Sequence, residues 1–190
     1  MAFGTEIGDI LRQYSGGGQQ GGDVEHDFER VAQQADREQL QYGVTEAFRS
    51  NQTPPFGDMI GQLFGNADAQ QRTGLLSQLL SAAGPAVLQS LLGAGGSRGG
   101  FLGDGAGMGA MGTVLGKLGG AMSPESQISA DDINQLSPEQ MQELAAHAER
   151  ENPGVIDHIS RYLSQNPGLL KSLGGPTLAF MLGKIAQGKE

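Results

Sequence analysis

Apolar residues recur along this chain at the period of a helix, in runs that are each short. Phe3, Ile7, Ile10, Leu11 and Tyr14 are spaced by four, three, one and three. That is one stripe of an amphipathic helix over residues 3–14. Val24, Phe28, Val31 and Ala35 repeat the pattern, and Leu40, Val44, Ala47 and Phe48 resume it after a break near Asp36. Phe56, Ile60, Leu63 and Phe64 mark a further helix, as do Leu75, Leu76, Leu79 and Leu80. The last third carries four more stripes: Met141, Leu144, Ala145 and Ala148; Val155, Ile156, Ile159, Tyr162 and Leu163; Leu169, Leu170 and Leu173; and Leu178, Met181, Leu182 and Ile185. No segment sustains period-two alternation with β-branched residues, so the expected fold is all-α.

Helix boundaries are written in polar and breaker residues. Asp23 is an expected N-cap. Asn51-Gln52-Thr53-Pro54-Pro55 ends one helical stretch, because proline lacks a backbone donor and biases the residue before it to extended geometry. Gly84-Pro85 ends another and places proline at the start of PAVLQSLLG. Ser129-Ala130-Asp131-Asp132 and Ser137-Pro138-Glu139-Gln140 have the form of capping boxes. Asn152-Pro153-Gly154 and Asn166-Pro167-Gly168 are each expected to be N-cap, N1 and N2 of a helix, and Gly174-Gly175-Pro176 opens the last one. The expectation is a small bundle of short helices broken by Gly/Pro turns.

Two segments depart from this scheme. Residues 15–22, SGGGQQGG, form a leash behind the first helix. Thirteen of the 28 residues from Gly93 to Gly120 are glycine, which marks a linker or a helix that tolerates glycine only beside a close neighbour. Gly112, Gly116 and Gly120 are four apart and would make a smooth seam for a second helix. The expected organisation is therefore a tethered helix and linker at 1–22, a helical segment at 23–92, a Gly-rich linker or close-packing helix at 93–122, and a second helical segment at 123–190.

Composition narrows the function. The net charge is −9, which repels phosphate and argues against nucleic-acid binding. The chain has no cysteine, so disulfides, thiolate metal sites and thiol nucleophiles are excluded, and a reducing cytoplasm is the expected setting. The start lacks a basic, long-apolar leader pattern, and no run of 18 apolar residues offers an ordinary membrane span.

Candidate chemistry is thin. Gly107-Met108-Gly109-Ala110-Met111-Gly112 matches G-x-G-x-x-G but follows no strand, and the stretch ending in Lys117-Leu118 lacks the spacing and the hydroxyl of a P-loop. Glu143, His147 and Glu151 share one helix face, and Glu25, His26 and Glu29 cluster on another. The paired Glu-x-x-His of a di-iron bundle does not occur, so both read as solvated faces and no metal or cofactor is expected. His158 beside Asp157 reads as a surface pair, and no G-x-S-x-G elbow supports a serine triad.

The layout resembles the YidB-like family of small bacterial proteins of unassigned function. The shared features are the N-terminal helix MAFGTEIGDILRQY before a Gly/Gln leash and a Gly-rich middle with Leu/Met helices. They continue with I-S-x-x-x-[IL]-x-x-L at Ile128-Ser129 through Leu136, and a segment similar to L-P-x-[IL]-[IV]-D at Asn152–Asp157. The likeness covers mainly residues 1–20 and 105–160. It implies an all-α fold and a cytoplasmic setting, and it supplies no catalytic residues.

The functional expectation is a non-enzymatic helical protein that works by protein–protein contact, chiefly self-assembly into a homo-oligomer. Phe3, Ile7, Ile10, Leu11 and Tyr14 are the expected docking face, and Gly112, Gly116 and Gly120 the packing seam. The seat for the first helix could be its own core, another copy, or a different protein. A membrane surface fits less well, because Glu6 and Asp9 outnumber Arg12 on the polar face. The rival readings are a peripheral membrane protein using residues 85–122 and an enzyme that gathers Glu143, His147 or His158 in a pocket.

Overall fold

The computed structural model describes residues 5–15, 23–93, 133 and 136–188. Among them every regular element is helical: α1 (Thr5–Ser15), α2 (Val24–Gln34), α3 (Arg37–Arg49), α4 (Phe56–Asn66), α5 (Ala69–Gly93), α6 (Pro138–Glu151), α7 (Val155–Gln165), α8 (Pro167–Leu170), a 3₁₀ turn (Lys171–Leu173) and α9 (Gly175–Gln187). The protein is all-α, as the periodicity requires. No helix among the described residues is long and apolar enough to cross a membrane.

The chain divides into two compact units that are not consecutive segments. The first combines residues 1–59 with 156–190, and the second is residues 60–155.

In the first unit the C-terminal helix is central: α9 packs on α1, α2 and α3. Leu178, Met181, Leu182 and Ile185 of α9 are buried, as are Phe28, Val31, Leu40, Val44 and Phe48. The Phe48 and Phe56 rings meet edge to face with centroids 5.1 Å apart, a geometry aromatic quadrupoles favour. Glycine allows α3 and α9 to cross closely. A β-carbon on Gly43 would stand 2.6 Å from Ile185 Cγ1 and 3.1 Å from the Met181 carbonyl oxygen. Surface ion pairs tie the two chain segments together: Arg49 Nη2 is 3.1 Å from both carboxylate oxygens of Asp157, and Lys171 Nζ is 2.9 Å from Glu29 Oε2.

In the second unit α5 packs on α6, with Leu75, Leu76, Leu79, Met141, Leu144 and Ala148 buried. A glycine pair on α4 receives the start of α6. A β-carbon on Gly61 would lie 3.0 Å from the Pro138 carbonyl oxygen, and one on Gly65 would lie 3.2 Å from Pro138 Cγ. Arg72 satisfies the end of α4: its Nε donates to the Phe64 and Ala67 carbonyls at 3.0 Å, and its guanidinium lies 5.2 Å from the Phe64 ring centre. The Phe64 carbonyl also accepts from the Ala67 amide at 3.3 Å, and the side chain adds a donor at a helix end, where the last carbonyls lack their i+4 amide.

The boundary residues largely act as their chemistry demands. Asp23 caps α2, accepting from the His26 amide. Ser137 and Gln140 form the reciprocal capping box of α6. Asp68 and Gln71 form another at the start of α5, with bonds of 2.8 and 3.0 Å. Gly84 takes φ 76° and breaks the helical geometry within α5, a conformation open to glycine because it has no β-carbon. Asn166 caps α8 by position, with Pro167 following, but its side-chain amide donates back to the Tyr162 carbonyl. Asn152 differs from expectation. It ends α6 instead of starting α7, its Oδ1 accepts from the Gly154 amide at 3.1 Å, and α7 begins only at Val155. Its Nδ2 donates to the Ala82 carbonyl at 2.7 Å. The break at Gly84 lies just beyond that carbonyl, so a helix C-terminus and a helix break share one side chain.

Candidate interaction site

The helical stripe at the N-terminus finds its seat on α9. Ile7, Leu11 and Tyr14 are buried. They stand at i, i+4 and i+7, which is one face of a helix. Ile10 is half-buried at the edge of that face, while Asp9 and Arg12 on the far side pair at 3.6 Å in solvent. Packing is therefore one-sided: α1 covers α9, with a smaller contact on α2. Burying three such side chains contributes on the order of 5–9 kcal/mol before ordering costs. Phe3, the remaining member of the expected docking face, lies outside the described residues.

Two details set the register of α1. The first is a backbone contact. Gly183 sits within the apolar face of α9, and a β-carbon there would stand 3.2 Å from the Tyr14 carbonyl oxygen. The missing side chain lets the last turn of α1 lie directly on α9. The second is polar. Tyr14 Oη donates to Asp27 Oδ2 at 2.9 Å, tying the end of α1 to the first turn of α2. Asp27 is placed there by the helix start, where an N-terminal dipole suits a carboxylate. Burial of the phenol first, then its hydrogen bond to Asp27 and the negative charge there, together push the Tyr14 pKa up to about 12.

Sequence periodicity identified the α1 stripe, but Gly43, Gly183 and Asp27 escaped it. A signal for the glycines does exist. Each interrupts an otherwise well-formed helical pattern, QLQYGVTEAF and AFMLGKIA, at about 1 kcal/mol of lost helix propensity. Such a residue is explained by close packing. The same argument applies to Gly61 and Gly65, spaced four apart in FGDMIGQLFG. Gly112, Gly116 and Gly120, singled out as a seam, lie outside the described residues, as does the capping pattern at 129–132.

The residues weighed for catalysis or metal binding are scattered over solvated faces. Glu143 and Glu151 are exposed on α6 with His147 half-buried between them; Glu25 and His26 are exposed on α2; and His158 is exposed on α7. Glu29 is held below the usual carboxylate range by its hydrogen bond and charge pairing with Lys171. Burial pushes the Glu149 carboxyl up, opposed by the charge of Arg150. Among the described residues no three His, Asp or Glu side chains gather as metal ligands.

Comparison with known proteins adds no family: no family model, curated protein or solved structure matches the chain.

Proposed function

We propose that this is a non-enzymatic helical protein of the cytoplasm that works through protein–protein contacts, with self-association into a homo-oligomer as its main activity. The observation that carries this reading is the one-sided seating of α1. Its apolar face, Ile7, Leu11 and Tyr14, is covered by a single helix, α9, with a lesser contact to α2. Between α1 and the Asp23 cap of α2, residues 16–22 are Gly and Gln alone. A helix of 11 residues is marginal in water without a partner surface. Anchors at i, i+4 and i+7 are the recognition pattern of a helix laid in an apolar groove. The acidic charge fits a protein that binds protein in preference to nucleic acid, and the lack of cysteine fits a reducing setting.

The test is the mass of the full chain in solution. Sedimentation velocity or light scattering over a concentration series is expected to give a mass that rises above that of one chain. A mass of one chain at every concentration overturns the reading.

A further inference from the structure

We draw no further inference here: the strongest candidate, the two buried side-chain oxygens of the first unit without a hydrogen-bond partner, Gln39 Oε1 on α3 and Ser160 Oγ on α7, carries nothing because nothing among the described residues brings them together or points to a ligand for either.

Discussion

Tyr14 and Asp27 join the last turn of α1 to the first turn of α2 through a 2.9 Å hydrogen bond from phenol to carboxylate. The pair makes the seating of α1 sensitive to alkali. Burial first, then Asp27, pushes the phenol from 10.0 up to about 12. The folded chain keeps its proton where the unfolded chain has lost it, so stability holds below pH 10 and falls between pH 10 and 12. Tyr14→Phe is expected to cost about 1 kcal/mol at neutral pH through the lost bond and to flatten the decline above pH 10. Urea unfolding at pH 8 and pH 11 checks both; an undiminished decline in the variant would rule out Tyr14 as its source.

Gly43→Ala is expected to destabilise the first unit. The methyl group would meet Ile185 Cγ1 at 2.6 Å and the Met181 carbonyl at 3.1 Å. A side chain can shift, but a helix carbonyl cannot without moving α9. Overpacking of this kind costs ~1–3 kcal/mol against ~1 kcal/mol gained in helix propensity, leaving a loss of about 1 kcal/mol. Gly8→Ala is the contrast, since nothing lies within 4 Å of its added methyl, and it should gain about 0.5–1 kcal/mol. Chemical denaturation of the two variants should move in opposite directions.

Asn152→Ala should loosen the second unit. The lost side chain leaves the Ala82 carbonyl without its 2.7 Å donor and the Gly154 amide without its acceptor. The expected cost is about 1–2 kcal/mol. Hydrogen exchange should show faster exchange around Ala82 and Gly154; unchanged protection would mean water replaces both bonds at no cost.

Ser160→Ala is expected to stabilise the protein. Ser160 is fully buried, and among the described residues no partner reaches its hydroxyl. A buried hydroxyl without a bond carries a penalty of ~1–3 kcal/mol, and alanine also favours the helix. A gain of about 1 kcal/mol in unfolding free energy is expected, and a loss would show that the hydroxyl is satisfied in solution.

Helix capping offers a calibration of local against tertiary effects. Ser137→Ala removes the side chain that accepts from the Gln140 amide at the start of α6. The expected loss is about 1 kcal/mol, read from the thermal midpoint, and Ser137→Asp should retain most of the stability.

Local chemistry alone determined the all-α class, nearly every helix position, the caps at Asp23 and Ser137, and the break at Gly84. Period, capping and proline geometry act within a few residues, so they are written in the chain. Asn152 shows where that logic ends. Its Asn-Pro-Gly context suits a helix start, yet Asn152 ends α6 and reaches Ala82, 70 residues away. Capping chemistry is short-ranged and cannot say which neighbour claims a spare amide. Likewise the stripe Ile7, Leu11 and Tyr14 announced that α1 must be covered, because exposed apolar surface is costly. Only the tertiary structure decided that the cover is α9, that Gly183 makes room for it, and that the two chain ends share one unit. Hydrophobic attraction has no direction, so the choice of partner comes from shape matched across the whole fold.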